Sequence, residues 1–179
     1  RESAKQIISR CKAKGLKVIA GDPLFTSEPD AFEMVDHLVL DEAELTLPPF
    51  LADLKAGQPK KIYRASGFCE LHHTPSPAWD LVDLKKYASM SIQFSRGCPF
   101  NCDFCNVTVL FGRRPRLKSA QQVISELGRI YEAGWRGNVF FVDDNFIGNK
   151  RYLKTHLLPA LIEWRKDKKG CVFFTEASI

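Results

Sequence analysis

From residue 90 onward, short apolar runs alternate with amphipathic helices, and this order limits the possible folds more than any other feature. Residues 90–95 read as a strand that runs into a group of cysteines. Ser119 opens a helix, with Gln122 three residues later in a capping-box pattern. Its apolar residues Ala120, Val123, Ile124, Leu127, Ile130 and Tyr131 recur at helical spacing, and Gly134 closes it. Residues 138–143 read as the next strand, and the successive apolar residues from Val139 to Val142 suit burial on both faces. Residues 150–166 form a second helix with Leu153, Leu157, Leu161 and Trp164 on one face. Pro159 inside it predicts a kink or break near Thr155. Residues 171–175 form a third strand. Strand, helix, strand, helix, strand specifies parallel β/α units joined by helical crossovers.

The earlier half follows the same logic. A helix over residues 3–14 carries Ile7, Ile8 and Cys11 and stops at Gly15. Short strands are expected at 16–20 and 37–40, and a helix at 44–55 that presents Leu47, Phe50, Leu51 and Leu54. Pro48 and Pro49 are assigned to its first turn, where a missing N–H costs least. Residues 58–88 hold three prolines, the pair His72-His73 and little periodicity, and read as a connecting segment. The two histidines read as polar loop residues, since no further ligand stands at a motif-like distance.

Composition removes several function classes. Hydrophobic residues make up 45% and charged residues 26%, an ordinary globular balance that excludes disorder. No apolar run approaches the roughly 18 residues that a membrane-spanning helix needs. The net charge of +5 is mild. The basic run Arg113, Arg114, Arg116 and Lys118 has only Phe111 beside it, so it reads as a solvated loop and no nucleic-acid partner is expected. One of these arginines could lie near a bound cofactor's carboxylate.

The chain has six cysteines, and Cys98, Cys102 and Cys105 fall within one short segment, a C-x3-C-x2-C arrangement. The scattered remainder argues against a disulfide framework and for a reducing cytoplasm. Cys11 and Cys171 read as small core residues, and nothing near Cys69 suggests chemistry. A structural zinc site usually takes two separated ligand pairs, which this spacing fits poorly. A cubane iron–sulfur cluster takes one thiolate per iron, so three would leave one iron open to an outside ligand. Gly97 allows a tight turn at the loop entry. Phe100 and Phe104 can shield a cluster from water.

Each strand ends in polar residues: Ser95-Arg96-Gly97-Cys98, Asp143-Asp144-Asn145 and Thr175-Glu176. In β/α barrels the C-terminal ends of the strands share one mouth, and catalytic groups come from several of them.

The Cys98-x3-Cys102-x2-Cys105 motif, with Phe104 before the last cysteine and a strand before the first, resembles the radical S-adenosylmethionine superfamily. Gly21-Asp22-Pro23-Leu24-Phe25, and the run from Asp36 to Leu47, resemble the end of a cobalamin-binding domain that precedes the barrel in one subfamily. Asp144-Asn145-Phe146-Ile147-Gly148-Asn149 resembles the hopanoid-methylase-like branch. The resemblance implies an α/β chain with three parts. Residues 1–57 would be the C-terminal part of a Rossmann-like cobalamin-binding domain and 58–89 a linker. Residues 90–179 would be the first three β/α units of a partial TIM-type barrel.

The resemblance also implies roles. Cys98, Cys102 and Cys105 would hold a [4Fe–4S] cluster whose open iron chelates S-adenosylmethionine. Reductive cleavage would give a 5′-deoxyadenosyl radical, and with cobalamin the reaction would be methyl transfer to an unactivated carbon. Phe104 would flank the adenine, Asp143 and Asp144 would meet the methionine ammonium, and Glu176 the ribose hydroxyls. Gly21, Asp41 and Glu42 would lie along cobalamin. The implied partners are a small-molecule or lipid-like substrate and an electron donor such as flavodoxin or ferredoxin. The readings set against this are a zinc- or closed-cluster-binding module and a tRNA methylthiotransferase.

The chain departs from the pattern in three places. The cobalt-ligating Asp-x-His-x-x-Gly motif does not occur, and His37 does not fit it. Asp22 and Asp41 stand where glycines are common. The chain starts at Arg1 and stops just past the apolar run from Cys171 to Phe174, so it is expected to be a piece of a longer enzyme. Alone it is expected to turn over no substrate and to aggregate.

Overall fold

The computed structural model describes residues 1–178. The chain is a mixed α/β protein with parallel sheets, and it divides into two compact units, Arg1–Cys69 and the chain from Glu70 onward. No described helix is long and apolar enough to cross a membrane.

The first unit runs α1 (Glu2–Ala13), β1 (Ile19–Ala20), α2 (Pro23–Ser27), β2 (His37–Val39), α3 (Ala43–Lys55) and β3 (Ile62–Tyr63). Its sheet has the order β1-β2-β3, all parallel. Ile8, Phe32, Val35, Leu38 and Leu40 form one buried cluster, and Val39, Phe50 and Tyr63 a second. Lys12 and the Val18 N–H both donate to Asp36, at 2.7 Å each. These bonds hold its carboxyl at about 2, so the tie survives until the pH falls through that value.

Two expectations change here. Pro48 and Pro49 lie inside α3, not in its first turn, because the helix already begins at Ala43. Strand β3 lies in the stretch that sequence alone read as a linker. Two residues are too few to show a period.

The second unit opens with 3₁₀ turns at Leu71–His73, Trp79–Leu81 and Leu84–Lys86. It continues with β4 (Ser89–Ile92), β5 (Ser95–Arg96), α4 (Val107–Phe111), β6 (Arg116–Leu117), α5 (Ala120–Glu132) and β7 (Asn138–Phe141). After these come α6 (Lys150–Tyr152), a π turn (Leu153–Leu157), α7 (Leu158–Arg165) and β8 (Val172–Thr175). Strands β4, β7 and β8 make a parallel sheet in that order. Ile92, Phe141 and Thr175 stand in register across it.

Met90, Ile92, Phe94, Val139 and Phe141 pack against Val123, Leu127 and Ile130 of α5 and Leu157 and Leu161 near α7. Each fully buried side chain of this size contributes about 1.5–3 kcal/mol. Trp79, Val82 and Leu84 pack on the same core. Residues 70–88 therefore belong to the second unit and are no free linker. Their irregular spacing hides this, because an extended strap buries residues one at a time.

The capping box of α5 is present. Ser119 Oγ accepts the Gln122 N–H at 3.1 Å, and Gln122 Oε1 accepts the Ser119 N–H at 2.9 Å. The irregularity expected near Thr155 takes the form of the π turn over Leu153–Leu157. A wider turn absorbs the missing N–H without ending the helix. Strand β7 is not buried evenly on both faces. Val139 and Phe141 are in the core, whereas Phe140 stacks on Phe174 at 4.8 Å and Val142 is exposed.

Lys118 is another correction. It is not a solvated loop residue. It is buried and paired with the buried Glu126 at 2.6 Å. Removing one member of such a pair leaves the other charge without its counter-ion, at a cost of about 3–5 kcal/mol. Glu126→Leu should lower the denaturant midpoint sharply. The double variant Lys118→Met, Glu126→Leu should recover most of the loss. A double variant as unstable as the single would show that the pair is not the cause.

Candidate active site

The three parallel strands deliver their C-terminal ends to one side of the sheet. Val142 N–H donates to the Ile92 carbonyl at 2.9 Å, and Phe146 N–H to the Glu176 carbonyl at 3.2 Å. The polar residues after β4, β7 and β8 are thus neighbours, as the sequence implied.

Beyond β4 the chain enters a loop with a short antiparallel stem. Ser95 pairs with Leu117 and Arg96 with Arg116. Lys118 N–H donates to the Phe94 carbonyl at 2.8 Å, and Cys98 N–H to the Gly112 carbonyl at 3.2 Å. The three cysteines lie on the loop this stem closes. Gly97 is buried at its throat with φ +94°, and a Cβ there would stand 2.9 Å from the carbonyl oxygens of both Phe111 and Gly112. Only glycine fits. Arg113 donates to Asn101, and Arg116 to the Phe111 carbonyl at 2.9 Å. Arg113 and Arg114 are exposed, as a solvated loop predicts, and Arg116 is half-buried.

The residues after β7 hold this stem from beneath. Asp143 is 4% exposed. Its Oδ1 accepts the Ser95 N–H and the Ser95 hydroxyl, and its Oδ2 accepts the Phe94 N–H at 3.1 Å. Burial pushes its carboxyl above the usual range, opposed by these same hydrogen bonds and reinforced by Asp144. Asp144 Oδ2 accepts the Gly97 N–H at 2.9 Å. Asn145 Nδ2 lies 4.0 Å from Cys98 Sγ. Three successive residues thus meet three successive points of the cysteine strand. Sequence reasoning aimed Asp143 at a ligand's ammonium. In the fold both its oxygens accept hydrogen bonds from the start of the stem, which ties that start to the end of β7. Asn145 was missed as a site residue, although its place directly after the two aspartates was a signal.

The ligand-facing side is open. Cys102 is exposed, Cys98 and Cys105 half-buried, and all six cysteines are free thiols. Among the described residues, no three His, Cys, Asp or Glu side chains converge closely enough for a single metal ion. Thiolates on separate irons of a cubane stand farther apart than those around one zinc, each about 2.3 Å from the metal. Phe104 is 91% exposed and Phe100 half-exposed. Glu176 is exposed at the end of β8.

In the first unit, Gly21, Asp41 and Glu42 sit just past β1 and β2. A Cβ at Gly21 would collide with the Val39 carbonyl. Asp41 has φ +62°, and its Oδ2 accepts the Ala65 N–H at 3.0 Å. Glu42 accepts the Cys69 N–H at 2.7 Å. These carboxylates hold their own loops. His37 faces the Lys60 carbonyl at 2.7 Å, a structural contact.

Residues 92–176 match the family model described as the radical SAM superfamily. The motif, the stem-closed cysteine loop and this match agree: the chain belongs to the radical S-adenosylmethionine superfamily. Within it, the chain is 47% identical to an uncharacterized methyltransferase of Synechocystis over 182 residues, which is 100% of this chain and 34% of that protein. It is 38% identical to the hopanoid C-2 methylase of Rhodopseudomonas palustris, covering 93% of this chain and 32% of that one. The fold is similar to that of the cobalamin-dependent S-adenosylmethionine radical enzyme OxsB, with a TM-score of 0.70 and 21% identity over 95% of this chain and 28% of that one. The chain therefore spans about a third of the length of the curated relatives it matches.

The carboxylate of Asp143 generates a test. Asp143→Ala strands two buried N–H donors, a loss of about 2–4 kcal/mol. Amide exchange at Phe94 and Ser95 should speed by roughly a hundredfold, since each 1.4 kcal/mol is a factor of ten. Glu176→Ala should leave those amides unchanged. Unchanged protection in the Asp143 variant would remove it from the positioning role.

Proposed function

We propose that this chain is the cluster-bearing portion of a radical S-adenosylmethionine enzyme that methylates an unactivated carbon with the help of cobalamin. The observation that carries the reading is the stem-closed loop, with Gly97 at its throat and Cys98, Cys102 and Cys105 on its open side. Three thiolates from one loop suit a cubane and leave one iron for an exchangeable ligand. A reduced cluster supplies one electron, which cleaves S-adenosylmethionine to methionine and the 5′-deoxyadenosyl radical.

The protein's part is to bind and orient. Phe104 offers an exposed aromatic face for the adenine. Glu176 offers an exposed carboxylate for the ribose hydroxyls, and Asp144 adds negative charge near the expected ammonium. Asp143 keeps the stem fixed so that these groups hold their spacing.

Cobalamin enters on the strength of the fold, which is similar to an enzyme described with aqua-cobalamin bound. In the first unit Asp41, Glu42 and His37 contact the Ala65 N–H, the Cys69 N–H and the Lys60 carbonyl. The methylase relatives support methyl transfer as the reaction class and a lipid-like or other small molecule as substrate. A flavodoxin or ferredoxin in a reducing cytoplasm would supply the electron.

Anaerobic reconstitution should give a brown protein with about four irons per chain. Its EPR signal should shift when S-adenosylmethionine is added. Replacing Cys98, Cys102 or Cys105 by Ala should abolish iron binding, whereas Cys69→Ala should keep it, since Cys69 is buried and stands outside the motif. A colourless protein with one zinc would favour the structural-metal reading instead.

A further inference from the structure

Asn145 differs from the aspartates before it, because its side chain reaches a cysteine itself. It is 4% exposed. Its Oδ1 accepts the backbone N–H of Ile147 at 3.3 Å and of Ser178 at 3.4 Å. Two N–H donors on one edge fix the orientation of the amide, so the opposite edge is the NH₂ group. That group faces Ser178 Oγ at 3.1 Å and Cys98 Sγ at 4.0 Å. A buried amide with both edges assigned points a donor at the first cysteine of the motif.

We propose that Asn145 is a positioning residue for the cluster, donating a hydrogen bond to the Cys98 thiolate and thereby raising the cluster's reduction potential. The proposal rests on the cluster reading above. A donor aimed at a ligating sulfur draws off negative charge and favours the reduced form, which carries one more electron. Ser178, in the segment after β8, holds the amide in place. The third strand is thereby linked to the ligand carried by the first. Asp144 cannot do the same, because its carboxylate has no donor and is engaged with Gly97.

The test uses the full-length protein, reconstituted anaerobically and titrated by spectroelectrochemistry. Asn145→Asp keeps the oxygen that Ile147 and Ser178 require and removes the donor. Asn145→Ala removes the donor without adding charge. Both should retain about four irons per chain, and both should show a more negative midpoint potential than the wild type. An Ala variant with the wild-type potential overturns the proposal, since any shift in the Asp variant is then an effect of charge alone. If the Ala variant loses its iron, Ser178→Ala carries the test. Loosening the amide should shift the potential in the same direction by less, and no shift overturns the proposal. A wild-type protein that binds no iron–sulfur cluster would overturn the reading beneath it, which is a separate failure.

Discussion

A carboxylate stripped of water must find donors, and Asp143 finds them in the backbone of Phe94 and Ser95. Much of the second unit is arranged around that requirement. Strand β7 pairs with β4 in parallel, so the residue just past its end arrives beside the residues just past the end of β4. The two N–H groups there have left the β4–β7 ladder and would otherwise be orphaned in a buried place. Asp143 takes both and fixes where the stem of the cysteine loop begins. The stem then sets the loop, through Lys118 to Phe94 and Cys98 to Gly112.

The site combines a rigid base with an open top. Beside the stem stand Phe94, Phe141 and Phe146, all buried, with the Phe146 ring in contact with the other two. Above it, Cys102 and Phe104 are exposed. A reactive centre needs both. Fixed supports hold ligands to a fraction of an ångström, and an accessible face admits the cofactor. The charged pair Lys118–Glu126 belongs to the base. It anchors the far arm of the stem to α5, whose own start is fixed by the Ser119–Gln122 box.

What the sequence disclosed is what local physics writes. The cysteine spacing, the need for glycine at 97, the capping box of α5 and the alternation of the three parallel strands with the long helices depend on neighbours in the chain, whereas the short β5, α4 and β6 of the cysteine loop left no period to read. What it concealed is set by distant partners. Lys118 looked like a member of a basic run because its counter-ion lies a full turn into the next helix. Residues 70–88 looked like a linker because Trp79, Val82 and Leu84 reach the core without any period. Asp143 reads as a ligand for the methionine ammonium because its position at a strand end is visible in the sequence and its hydrogen bonds are not. Asn145 was passed over for the same reason. Its significance depends on Cys98 and on Ser178, one before it in the chain and one after.

The central claim is that three cysteines on a loop held by Asp143 carry a cubane with one open iron. Mössbauer spectroscopy of the iron-57-labelled, reconstituted full-length protein tests it most directly. With a fourth thiolate missing, one iron in four should change its isomer shift and quadrupole splitting when S-adenosylmethionine binds, and the other three should not. Four irons that remain equivalent with and without S-adenosylmethionine would contradict the account.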